Sequence, residues 1–102
     1  MMYVQVNIGR NIGSAPMDDG MWDRFITAVS DAVWRATDDR ATENPEVHKG
    51  VGTWNGVREE SAHVSILADI VYAHAIKRDL KELRDRYMQD HIALIITQSE
   101  LV

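Results

Sequence analysis

The sequence predicts an α+β fold with the element order β-α-β-β-α-β. Three observations predict it. Asn55-Gly56 lies between two strand-like runs, Val47 to Trp54 and Val57 to Ala68, and Asn-Gly is a strong hairpin signal because a type I′ turn needs positive φ at both central residues. On either side of this hairpin lies a segment whose apolar residues recur at helical spacing. Both ends of the chain carry a short run of strand character.

The first run, Met2 to Ile8, alternates Met2, Val4, Val6 and Ile8 with Tyr3, Gln5 and Asn7, the period of a half-buried strand. Gly9 to Met17 holds two glycines and a proline and reads as loop. Asp18 is suited to cap a helix running to about Ala36, with Asp19 favourable in its first turn. Trp22, Phe25, Ile26, Val29 and Val33 form its buried stripe, and Asp23, Arg24, Thr27 and Asp31 face water. Thr37 to Glu46 is polar, largely acidic and contains Asn-Pro, the composition of a connecting surface loop.

A two-residue turn fixes the hairpin register. Trp54 pairs with Val57, Gly52 with Glu59, Gly50 with Ser61, and His48 with His63. Side chains alternate across a strand. Val47, Lys49, Val51, Thr53, Arg58, Glu60, Ala62, Val64, Ile66 and Ala68 therefore share one face, expected to meet the core. His48, Gly50, Gly52, Trp54, Val57, Glu59, Ser61, His63, Ser65 and Leu67 share the other. A slip of one residue would exchange the two sets.

After the hairpin, Asp69 is placed to cap a second helix from about Val71 or Tyr72 to Met88. Its seam is Ile76, Leu80, Leu83 and Tyr87, and its opposite side is charged. Gln89-Asp90 ends the pattern. His91 to Thr97 is a β-rich run in which Ile92, Leu94 and Ile96 point inward and His91, Ala93 and Ile95 outward.

This order is the split βαβ, or ferredoxin-like, arrangement. Right-handed crossovers place both helices on one face of a four-stranded antiparallel sheet. The first strand and the second hairpin strand are central. The other sheet face is left bare, carrying Tyr3, Gln5, Asn7, His48, Trp54, Glu59, Ser61, His63, Ser65 and Leu67.

Composition bounds the function. The 102 residues make one domain, 1–102, long enough to bury a little over ~60% of the unfolded surface. There is no cysteine, which removes disulfides and thiolate metal sites and is compatible with a reducing, cytoplasmic setting. No apolar run approaches the ~20 residues of a membrane span, and the N-terminus lacks a signal-peptide pattern, so a soluble chain without a membrane partner is expected. A net charge of −5 opposes nucleic-acid binding, which depends on neutralising phosphates.

Gly9-Arg10 after the first strand, Asp18 followed by Trp22 and Phe25, Gly52-Thr53-Trp54, and Arg58-Glu59-Glu60-Ser61 resemble together the pattern of a small bacterial and phage domain family with no assigned activity. The likeness spans most of the chain. In that pattern an aromatic residue precedes Gly-Arg, whereas Ile8 stands here. The resemblance implies the same fold and leaves function open; small size and acidity separately fit a phage or bacterial accessory protein.

Four constellations are candidates for chemistry. His48, His63 and His91, with Glu59, are types that ligate metals, but strand spacing does not make them converge, and no metal or cofactor is expected. His63-Val64-Ser65 matches half of a paired His-x-Ser motif, and no second copy exists. Arg10 with Glu59 and Ser61 would form an anion site or a surface ion pair. Trp54 beside Gly50 and Gly52 would stack on a ligand or fold over its own glycines.

The sequence reading favours a small non-enzymatic binding or assembly domain that forms a homodimer or higher oligomer through the open sheet face. Its interface set is Trp54, His48, His63, Glu59, Ser61, Arg10, Leu67 and Ile95, with Val57 as a further apolar member. Facing histidine rows predict weaker association below about pH 6, since imidazoles charge near ~6.5. The alternatives are a small enzyme using His48, His63, Glu59 and Asn7 in a dimer pocket, or docking on a host protein through the acidic loop or Trp54.

Overall fold

A computed structural model describes residues 1–38, 43–53, 56–100 and 102, with the backbone of residue 54. The turn residue Asn55, the Trp54 ring and the middle of the acidic loop lie outside the described residues.

The elements are β1 (Met2–Gly9), β2 (Asn11–Ile12), β3 (Ala15–Pro16), α1 (Asp19–Arg35), β4 (Glu46–Trp54), β5 (Val57–Ala68), α2 (Ala73–Arg86) and β6 (Ala93–Gln98). The main sheet has the order β4-β5-β1-β6 and is antiparallel at every pairing. Both helices pack on one side of it, an arrangement compatible with the ferredoxin-like fold. No helix among the described residues is long and apolar enough to cross a membrane.

The hairpin register is as the turn dictates: Trp54 opposite Val57, Gly52 opposite Glu59, Gly50 opposite Ser61 and His48 opposite His63. Gly56 has φ 77°, the sign the second turn position requires. On the helix side of β5, Ala62, Val64, Ile66 and Ala68 are buried, as are Val4, Val6 and Ile8 of β1. They meet Phe25, Val29 and Val33 of α1 and Ile76, Leu80 and Leu83 of α2. Phe25 stacks on Tyr87 with ring centroids 4.6 Å apart. Asp18 caps α1, accepting a hydrogen bond from the Met21 amide at 2.7 Å.

Several expectations are corrected. The segment after β1 contains a two-stranded ladder, Asn11 opposite Pro16 and Ile12 opposite Ala15, too short for any periodicity to reveal. Asp69 does not cap α2. The N-cap is Tyr72, with no side-chain cap bond, and its amide donates instead to the carbonyl of Ala36 at the end of α1, at 2.7 Å. The final strand begins at Ala93, two residues later than the apolar pattern suggests. Val47 and Val51 share the helix-side parity but are 40% and 54% exposed. Alternation decides which way a side chain points, and burial also needs a helix overhead. Beside the outer strand β4, α1 presents polar residues, with Asp23 lying 3.9 Å from Lys49.

Candidate functional site

The bare face can be laid out row by row from the register. At one end Leu67, Tyr3 and Thr97 lie side by side. The next row is Glu46, Ser65, Gln5 and Ile95. Then come His48, His63, Asn7 and Ala93, then Gly50, Ser61 and Gly9. Gly52 with Glu59, and Trp54 with Val57, complete the hairpin arm. Along β1, the Tyr3 hydroxyl donates to Gln5 Oε1 at 2.9 Å and Gln5 Nε2 donates to Asn7 Oδ1 at 2.7 Å. These bonds fix a polar spine through the centre of the face.

The glycine row is a depression. With Gly9 and Gly52 in its floor, a cavity of ≈ 340 Å³ opens between the hairpin and the 89–93 segment, with Asn7, Glu59, Ser61, His63 and His91 among its lining. Its far wall is held by Gln89, whose Nε2 donates to the Asn11 carbonyl at 3.1 Å. That placement depends on Met88, which takes φ 53° just beyond α2, where glycine is the usual residue. No glycine marks the helix end, so the sequence offered no signal for this wall.

Glu59 lies across Gly9. A Cβ added at Gly9 would overlap its carboxylate, and Glu59 Oε2 accepts the Asn11 amide at 3.2 Å. Close approach of a side chain is a standard reason for glycine in a strand. Ser61 and His63 border the same cavity, so three of the sequence-selected residues come together. His48 is opposite His63 in register but outside the lining. It instead pairs with Glu46, Nε2 to Oε2 at 3.2 Å.

Arg10 is not part of this group. Its backbone parity matches Ile8, so its side chain lies on the helix side, away from Glu59 and Ser61. There it reaches Glu60 Oε2 at 2.6 Å and Asp19 Oδ1 at 2.7 Å, and Nε donates to the Met17 carbonyl at 2.8 Å. The Asp19 hydrogen bond, followed by the smaller effect of Glu60, raises the guanidinium pKa above its ordinary value, against a partial loss of hydration. Arg10 thus ties the β2–β3 ladder to α1 and the hairpin. Neighbouring carboxylates Glu59 and Glu60 have separate tasks because they alternate across β5.

The apolar members of the face do not form one patch. Leu67 and Ile95 flank Tyr3 and Gln5 at one end, 42% and 41% exposed, whereas Val57, 44% exposed, is at the hairpin tip. Ten residues of β5 separate Leu67 from Val57, about 33 Å of extended chain. The polar spine and the cavity occupy the interval. Among the described residues no three His, Asp or Glu side chains gather as a metal site would require.

No protein-family model matches the chain, and no curated protein matches it either. Among solved structures it is similar to the de novo designed protein Foldit4, with 19% identity and a TM-score of 0.51, covering 97% of this chain and 96% of that one. At that identity the likeness concerns the path of the backbone alone.

Proposed function

We propose that this chain is a small non-enzymatic binding and assembly domain that associates with a second copy of itself through the bare face of the sheet. The observation carrying this reading is the exposure of Leu67, Ile95 and Val57 on a face no helix covers. These side chains form no single patch, so the reading rests on apolar ends flanking a flat polar middle, as in an interface whose centre is wet. Four strands of eight, nine, twelve and six residues present roughly 550 Å² of flat sheet per copy. Side-chain relief enlarges this toward the ~800 Å² per partner of ordinary stable interfaces.

The spacing of the apolar ends suits a two-fold axis. Val57 and Leu67 are equally distant from Ala62, near the middle of β5. An axis crossing the strands there sets Leu67 of each copy against Val57 of the partner subunit, an isologous contact. The polar middles then face each other. Sedimentation equilibrium tests the association. A dimer mass at micromolar concentration supports it, and a monomer at high micromolar concentration overturns it.

The ≈ 340 Å³ cavity favours a second reading, a small enzyme with a His63–Glu59 pocket. General acid–base work needs groups within hydrogen-bond reach of a substrate. In this chain Glu59 is engaged by the Asn11 amide, and the cavity is open to solvent, so assembly is placed first. A His63→Ala variant that keeps its dimer mass but loses binding of a small ligand would promote the second reading.

A further inference from the structure

The opposite flank of the sheet carries a feature that self-association through the bare face leaves unused. β6 is the terminal strand of the sheet, so among the described residues no strand lies along one side of its backbone. Above that edge a groove of ≈ 190 Å³ runs between α2 and the start of β6. Leu80, Ile92 and Leu94 form its apolar floor, and Lys77, Lys81 and Arg84 stand along it. The spacing i, i+4, i+7 puts those three cations on one helix face. Leu80 is buried, and Ile92 and Leu94 are half-buried.

Two features set this groove apart from an ordinary helix boundary, where lysine stems simply cover apolar surface. The chain as a whole has a net charge of −5, yet no acidic residue lines the groove. Arg84 bonds its neighbour Asp85 at 3.2 Å, whereas Lys77 and Lys81 make no ion pair among the described residues. The groove also adjoins an open strand edge. Open edges offer unpaired N–H and C=O groups to an incoming strand.

We propose that this flank binds an extended acidic peptide segment of a partner protein, added to β6 as a fifth strand. Alternate residues of such a segment point toward the helix side. One apolar residue would enter the Leu80–Ile92–Leu94 floor, and acidic residues two positions before and after it would meet the lysines. The other open edge, β4, does not offer the same match. Its helix-side neighbour Lys49 already has Asp23 at 3.9 Å, and α1 presents Asp23 and Asp31 on that flank, both exposed. An acidic strand is therefore directed to β6.

The test is a nitrogen-edited NMR titration of the full chain with the acetylated, amidated peptide Glu-Thr-Val-Thr-Glu-Thr, up to about 1 mM, the weak end of measurable affinity. The expected result is saturable shifts confined to residues 91–98 and α2. Affinity should fall about tenfold or more in a Lys77→Glu/Lys81→Glu double variant. It should also fall when the peptide's edge-facing amides are N-methylated. Both lysines are exposed, and a dispersed spectrum verifies that the variant folds. Equal binding of Lys-Thr-Val-Thr-Lys-Thr, shifts at Glu46–Trp54 instead, or no shift at the highest concentration would each overturn the proposal.

Discussion

The two faces of the central sheet are built from the same strands and differ in what covers them. Along β5, Ala62, Val64 and Ile66 are at most 5% exposed, while on the other face His63 and Leu67 are exposed and Ser65 between them is buried. The helix side is closed by aliphatic residues from α1 and α2. On the other side no described helix lies over the sheet; Ser65 is nevertheless buried at 8% exposure, with Glu43 and Asn44 lining the same small pocket, and the polar centre is organised by the Tyr3–Gln5–Asn7 hydrogen bonds. The comparison teaches that alternation alone sets which face a residue joins, and the overlying layer sets whether it counts toward stability. Val47 and Val51 carry the lesson in reverse, since they have core-side parity but no helix above them.

Substitutions on the two faces should separate accordingly. The largest effect is expected for Phe25→Ala, which empties the centre of the covered face and removes the stack on Tyr87. It should cost about 3–5 kcal/mol, measured by urea unfolding. Val64→Ala, beneath the helices, should cost about 2 kcal/mol. His63→Ala, one residue away on the opposite face, should stay within about 0.5 kcal/mol. Equal losses at positions 63 and 64 would erase the distinction between the faces.

Gly9→Ala probes the cavity. The new methyl must displace the Glu59 carboxylate from the Asn11 amide, and loss of one such hydrogen bond is worth about 1 kcal/mol. In a Glu59→Ala background the same Gly9→Ala change should cost little, because no side chain then lies across position 9. Leu67→Asp should change monomer stability least of all, by about 0.5 kcal/mol or less. In light scattering it should nevertheless abolish association. A Leu67→Asp protein that remains dimeric would place the interface elsewhere on the molecule.

Much of the fold was legible because it rests on periodicity. Asn55-Gly56 phased the hairpin, and the Trp22–Phe25–Ile26–Val29–Val33 stripe identified α1. What escaped reading depends on contacts distant in sequence. The start of α2 is set by the Tyr72 amide reaching Ala36, so Asp69, a good cap by composition, is bypassed. A freely reaching loop would let Arg10 meet Glu59, but its partner is Glu60. In the structure the strand parity continues one residue past β1 and carries its side chain to Glu60 and Asp19. Glu59, Ser61 and His63 could be placed together from the register alone. The cavity wall from Gln89 to His91 could not, since it is held by a hydrogen bond to Asn11 spanning most of the chain.

The central claim, that two copies meet across the bare sheet face, can be tested most directly by a distance between copies. The chain contains no cysteine, so Asp69→Cys gives one labelling site, exposed and just beyond the end of β5. Pulsed electron paramagnetic resonance on the spin-labelled protein should give a single separation of about 45 Å, twice the seven residues from the two-fold axis to position 69. A separation near 20 Å, or no dipolar interaction at high micromolar concentration, would contradict it.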